Sequence, residues 1–163
     1  MTTNIKFETG IGKLLATRKL TLAVAESCTG GLLGHRITSV SGSSRYFLGG
    51  IIAYSNKIKT SHLGVKKLTL TRYGAVSCEV ASRMAIGVRR RMGADIGLSI
   101  TGIAGPDGGT KKKPVGLVFV GLAYSGGSLV RRFRFKGNRL AIKTAANCAA
   151  LEMLHDLLAT LCS

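Results

Sequence analysis

The stretch Leu20-Thr-Leu-Ala-Val-Ala-Glu-Ser-Cys-Thr-Gly-Gly31 decides how this chain is read. Leu20 to Ala25 is a short apolar run of the kind buried on both faces of a sheet. Gly30 to Val40 suits a helix, with Thr29 as its cap and Leu32, Leu33, Ile37 and Val40 along one face. Ser27 therefore stands where a strand gives way to a glycine-opened helix. A serine there can expose its hydroxyl while backbone N–H groups at the helix start face a developing oxyanion. The same position also suits a plain cap or turn residue. The Gly-x-Ser-x-Gly elbow is absent and no histidine–acid pair accompanies the serine, so a Ser-His-Asp triad is a poor fit.

Outward from this stretch, helical and extended patterns alternate. Residues near 4–18 carry Ile5, Ile11, Leu14 and Leu15 at helical spacing, weakened by Gly10 and Gly12. Ile51 to Tyr54 reads as a strand, and Lys57 to Leu63 as a short helix ended by Gly64. Ser77 caps a longer helix to Met92 that Gly93 closes, and Asp95 to Thr101 is a strand entering the glycine-rich loop Gly102 to Pro114. Val115 to Tyr124 and Leu129 to Phe135 are strands joined at Gly126-Gly127, and Arg139 to Leu161 is the final helix. Strands this apolar need helices on both faces, so the expected fold is α/β: a three-layer α/β/α sandwich with a mixed sheet. No repeat or linker divides residues 1–163, which are expected to form a single domain. Loops 26–31, 54–59 and 101–114 should then gather at the carboxyl ends of the strands, where such folds place their chemistry.

Composition narrows the classes. The chain has no unbroken apolar run near membrane-spanning length, and Lys6, Glu8, Lys13 and Arg18 interrupt any signal-peptide core. A cytoplasmic protein without membrane association is expected. Cysteines 28, 78, 148 and 162 show no Cys-x-x-Cys pairing and the histidines at 35, 62 and 155 are scattered, which favours reduced thiols over structural zinc. Cys28, beside Ser27, is the alternative nucleophile if its thiolate is stabilised. The net charge of +17 suits a phosphorylated substrate or a polyanion. Its cations are nevertheless spread along the chain with few aromatics between them, as on a solvated basic surface.

A catalytic serine needs a base, and a lysine serves if burial or neighbouring cations bring its pKa down from about 10.4 towards 7–8. The segment Tyr54-Ser-Asn-Lys-Ile-Lys59 offers Lys57 and Lys59, which project in different directions on a helix, so at most one faces a shared site. Spacing alone does not choose between them. Thr101-Gly-Ile-Ala-Gly-Pro-Asp-Gly-Gly-Thr110 presents many N–H groups suited to a phosphate or an oxyanion, Thr101, Gly102 and Gly105 among them, although a plain hairpin loop has the same composition. Further phosphate candidates are Thr29, Gly30 and Gly31 at a helix start, the Ser43-Ser44-Arg45 run, and Arg139.

Several motifs occur in one order along nearly the whole chain: Ala25-Glu-Ser-Cys-Thr-Gly-Gly31, Gly42-Ser-Ser-Arg-Tyr-Phe-Leu-Gly-Gly50, Tyr54 to Lys59 with Leu63-Gly-Val65, Gly74-Ala-Val-Ser77, and Gly102-Ile-Ala-Gly-Pro106 through Gly116. Together they resemble the CinA C-terminal domain family, which includes nicotinamide-nucleotide amidases. The resemblance implies an α/β/α serine amidohydrolase with a Ser/Lys dyad and neither metal nor cofactor. Its substrate would be nicotinamide mononucleotide and its setting pyridine nucleotide recycling. On this sequence the implied nucleophile is Ser27, the base Lys59, with Tyr54 a supporting hydroxyl; the pattern Tyr-Ser-Asn-x-x-Lys selects Lys59 over Lys57. Excess cations, Lys57 among them, are expected to lower the Lys59 pKa and attract the substrate phosphate. The chain departs from the family pattern at Lys57, Ile58, Cys78, Asp107 and the Lys111–Lys113 run. A homo-oligomer is expected. The alternative within the resemblance is a non-catalytic, competence-associated interaction or nucleic-acid-binding domain.

Overall fold

The computed structural model describes residues 5–161. Helix α1 (Ile5–Thr17) leads into β1 (Leu22–Glu26), α2 (Leu32–Thr38), a short 3-10 turn at Ser43–Arg45, β2 (Phe47–Ile52), α3 (Asn56–Leu63) and α4 (Lys67–Tyr73). Then follow α5 (Cys78–Met92), β3 (Ile96–Gly102), the hairpin of β4 (Leu117–Tyr124) and β5 (Gly127–Arg134), and α6 (Arg139–Thr160). The expected helix start near residue 4 and the thiol of Cys162 fall outside the described residues.

The five strands make one mixed sheet in the order β2-β1-β3-β4-β5. β1 lies parallel to both β2 and β3, whereas β3, β4 and β5 run antiparallel. Side chains alternate across the sheet. Leu22 and Val24 of β1, with Ile96, Leu98 and Ile100 of β3, enter one core against Ile11, Leu15, Leu33, Ile37, Ile142 and Leu154 of α1, α2 and α6. Ala23 and Ala25 enter a second core with Leu63 of α3 and Val80, Met84 and Val88 of α5. Helices thus cover both faces of the sheet, in the three-layer α/β/α arrangement expected.

Small residues set the distance of the second helical layer. A Cβ on Gly97 would lie 2.2 Å from the Ala85 carbonyl of α5, and one on Gly121 would lie 2.5 Å from that of Ala81. Between them, the Ser99 hydroxyl donates to the Ala81 carbonyl at 2.7 Å. The pleat therefore meets α5 backbone to backbone.

Three elements differ from expectation. β2 begins four residues before Ile51, because Gly49 and Gly50 belong to it: a Cβ on Gly50 would lie 2.5 Å from the Val24 side chain, so glycine lets this edge strand close on β1. Helix α2 starts at Leu32, since Gly30 and Gly31 hold φ of 61° and 99°, outside helical backbone. Helix α4 had no sequence signal, being seven residues with threonines at 69 and 71 and no side-chain cap.

Candidate active site

The end of β1 is pinned from both sides. The Ser27 N–H donates to the Ile100 carbonyl of β3 at 3.0 Å, and the Ala53 N–H donates to the Glu26 carbonyl at 2.7 Å. With the backbone fixed, strand alternation sends Glu26 and Ser27 to opposite faces. The Glu26 carboxylate turns beneath α2 and accepts from the N–H groups of Gly31, Leu33 and Gly34 at 3.0, 3.1 and 2.9 Å. It supplies the cap expected of Thr29, whose buried hydroxyl has no hydrogen-bond partner among the described residues. Ser27 turns the other way, towards α3.

Helix α3 delivers the second group. The Ser55 hydroxyl caps it by accepting from the Ile58 N–H at 3.2 Å, and Gly64 ends it in the left-handed conformation. One turn separates Lys59 from Leu63, so the two share a face and enter the protein together. Lys59 is 1% exposed, and its Nζ lies 3.0 Å from Ser27 Oγ, 2.6 Å from the Ala53 carbonyl and 3.3 Å from that of Tyr54. Burial pushes its pKa down from the ordinary lysine value, against a smaller upward pull that Cys28 exerts only when ionised. A neutral amine fits these partners: two N–H groups donate to the two carbonyls, which leaves the lone pair for the Ser27 hydroxyl.

Ser27 and Lys59 lie in a cleft of ≈ 280 Å³ whose lining includes Tyr54, Asn56, Thr101, Gly102, Gly105 and Arg139. The Thr101 hydroxyl donates to the Ala75 carbonyl at 2.8 Å, tying β3 to the segment before α5. Arg139 begins α6, where Asn138 caps the helix by accepting from the Ala141 N–H. Its guanidinium donates to the Gly105 carbonyl at 2.7 Å and to the Tyr54 hydroxyl at 3.0 Å, and so clasps the glycine loop to the α3 side of the cleft. Tyr54 thus approaches the Ser27–Lys59 pair through its carbonyl, while its hydroxyl, expected beside the dyad, faces Arg139. Asn56 and Asp107 also line the cleft; their polar side chains gave no signal beyond their place in the motifs.

Other candidates lie elsewhere. Ser44 and Arg45 precede β2, whose first residue pairs with Leu22, so they sit at the opposite end of the sheet from Ser27. Thr29, Gly30 and Gly31 do not line the cleft, and the Gly31 N–H is already committed to Glu26. A carboxylate fills the helix start where a phosphate was expected. Lys57 is exposed and outside the cleft, and burial, not a neighbouring cation, depresses the Lys59 pKa. Burial also pushes the Cys28 thiol up to about 11, which leaves little thiolate near neutral pH. Among the described residues no group of His, Cys, Asp or Glu is gathered for a metal ion.

Fold and site together define an α/β/α domain with a buried serine–lysine pair at the carboxyl end of its two central parallel strands. Residues 4–158 match the family model described as CinA C-terminal domain. The chain belongs to the CinA C-terminal domain family. It is 54% identical over 155 residues to a putative competence-damage inducible protein of Moorella thermoacetica, covering 95% of this chain and 37% of the relative. To one of the same description from Halothermothrix orenii it is 62% identical over 130 residues, 79% of this chain and 32% of that protein. The chain spans about a third of the length of these curated relatives. Among solved structures, a CinA superfamily protein of Klebsiella pneumoniae superposes with a TM-score of 0.93 at 31% identity, covering 98% of this chain and 99% of that one. The competence/damage inducible protein CihA of Agrobacterium tumefaciens gives a TM-score of 0.88 at 37% identity, covering 96% and 99%. No helix among the described residues is long and apolar enough to cross a membrane.

Proposed function

We propose that this chain is a serine amidohydrolase that converts nicotinamide mononucleotide to nicotinate mononucleotide and ammonia. The observation that carries this reading is the 3.0 Å contact between Ser27 Oγ and a buried Lys59 Nζ at the floor of a cleft. Neutral Lys59 takes the Ser27 hydroxyl proton as Oγ attacks the carboxamide carbon, whose pyridinium ring makes it electrophilic. The negative charge on the carbonyl oxygen is stabilised at the turn after Ser27, where the Thr29 N–H makes no hydrogen bond among the described residues and the Cys28 N–H contacts its own thiol. The C–N bond then breaks, the leaving nitrogen takes the proton from Lys59, and ammonia departs. Water attacks the acyl ester, giving a proton to Lys59; the C–O bond to Ser27 breaks, and the proton returns to Oγ.

Substrate placement follows from what remains free in the cleft. Arg139, with guanidinium N–H groups beyond those bonded to Gly105 and Tyr54, is the cation for the phosphate, in place of Ser44, Arg45 and the α2 start. Ala104, Gly105, Asp107 and Gly108 of the glycine-rich loop line the same cleft, whereas the Ile103 N–H is held by the Leu117 carbonyl.

The test is ammonia and nicotinate mononucleotide release by the purified chain from nicotinamide mononucleotide. One-to-one formation of both supports the reading. No release, together with salt-sensitive binding to DNA, supports the non-catalytic interaction domain instead.

A further inference from the structure

A second recess, larger than the Ser27 cleft and sharing no residue with it, lies between the C-terminal end of α3 and the outer face of α5. Its volume is ≈ 420 Å³, and its lining includes Ser61, His62, Arg83, Gly87, Arg90 and Arg91. Relative to Gly87, the arginines stand four residues before and three and four after, so all belong to one stripe of α5. Gly87 makes that stripe concave. A Cβ there would lie 2.0 Å from the Leu63 carbonyl, so α3 docks onto bare α5 backbone with guanidinium groups on either side. None of the three arginines has an ion-pair partner among the described residues.

The usual reason for cations late in a helix is the negative end of its dipole. Arg89 fits that account, donating to the Asp95 carbonyl at 2.8 Å just past the helix end. Arg83 stands near the middle of α5, where the dipole gives no such reason. No carboxylate lines the recess. Beyond Arg83 the groove continues past Thr69, Tyr73 and Glu79, where it gains a carboxylate and no further cation. A long phosphodiester strand following that path would run from guanidinium groups into Glu79. A compact anion would meet cations alone.

We propose that this recess is a second anion site, distinct from the amidase cleft, that takes a small polyphosphate group such as the di- or triphosphate of a nucleotide. Planar guanidinium forks match paired phosphate oxygens; the Ser61 hydroxyl proton is held by the Lys57 carbonyl at 2.9 Å, so the arginines are the donors.

The test is calorimetric titration of inorganic tripolyphosphate into the protein at about 0.15 M salt, where exposed charges more than a Debye length apart are largely screened. It uses wild type, R83Q/R90Q/R91Q, single R83Q, and an equal-charge control, R132Q/R134Q/K136Q, on and just after the exposed end of β5. Circular dichroism and thermal midpoints establish that each variant is folded. The expected result is one saturable site per chain, weakened about tenfold or more in the α5 triple variant, partly in R83Q, and less than about twofold in the control. Arg139→Gln keeps the site. Equal weakening in the triple variant and the control overturns the proposal, as does the absence of saturable binding, or loss of the site with Arg139→Gln alone. A single-stranded oligothymidylate that binds more tightly than tripolyphosphate, and is lost in the same triple variant, also overturns it in favour of nucleic acid.

Discussion

The role proposed for Lys59 comes at the expense of stability. Its burial disfavours the ammonium form, so in the folded chain it titrates below the ordinary value of 10.5. Between the two pKa values the unfolded chain holds a proton that the folded chain lacks, and stability therefore rises with pH across that window. Lys59→Met, which keeps the length of the side chain and removes its charge, is predicted to raise the thermal midpoint near pH 7. The advantage over wild type should shrink as pH approaches 10.5 and the unfolded chain also loses its proton. Differential scanning calorimetry of the two proteins across pH checks this, and a variant less stable than wild type throughout contradicts it. The same substitution should lower kcat/KM for the amide by about 10²-fold or more, and the wild-type rate should rise with pH through the depressed pKa and then level. At this scale the serine and lysine were legible, because both lie in an ordered set of motifs. Glu26 was not: it caps α2 from five to eight residues upstream, beyond the adjacent cap position that sequence patterns describe. Arg139 was legible only as a cation, since its bonds to Gly105 and Tyr54 join segments 34 and 85 residues away.

Among the elements, α3 connects packing to chemistry. Its inward face carries both Lys59 and Leu63, and the Leu63 carbonyl rests against Gly87 of α5. Gly→Ala inside a helix ordinarily stabilises by about 1 kcal/mol. At Gly87 the sign should reverse, with a loss of about 1–3 kcal/mol, because the added Cβ meets main chain that no rotamer change can move. Urea denaturation checks the sign, and amidase activity should fall with it, since displaced α3 carries Lys59 away from Ser27. Glu26→Ala should destabilise by about 1–3 kcal/mol by leaving three N–H groups at the start of α2 without their acceptor, an effect readable in the same titration. The long and strongly patterned elements, β1, α5, β3, β4 and α6, lie close to where periodicity and caps placed them. Expectation failed where the decisive partner is tertiary: Gly49 and Gly50 resemble a turn until β1 closes on them, and α4 has too few apolar positions to announce itself.

For the molecule as a whole, charge is the dominant fact. With 24 lysines and arginines against seven acids, most cations lack any acidic partner; the ion pairs among the described residues join Arg36 to Glu8 and Arg131 to Asp156. Self-repulsion of this kind is screened by salt. The thermal midpoint should therefore rise between about 0.01 and 0.15 M salt, while KM for a phosphorylated substrate rises as attraction weakens. A midpoint that falls with salt contradicts the account of the charge. The excess of positive charge was plain in the sequence, whereas its concentration around Gly87 required the docking of α3 on α5. What joins these scales is the claim that Ser27, and not the adjacent Cys28, accepts the acyl group. Parallel rates of ammonia release from nicotinamide mononucleotide by wild type, Ser27→Ala and Cys28→Ala test it most directly. The prediction is a loss of about 10³-fold or more in Ser27→Ala with near wild-type turnover in Cys28→Ala. Turnover retained by folded Ser27→Ala, or abolished in folded Cys28→Ala, would contradict it.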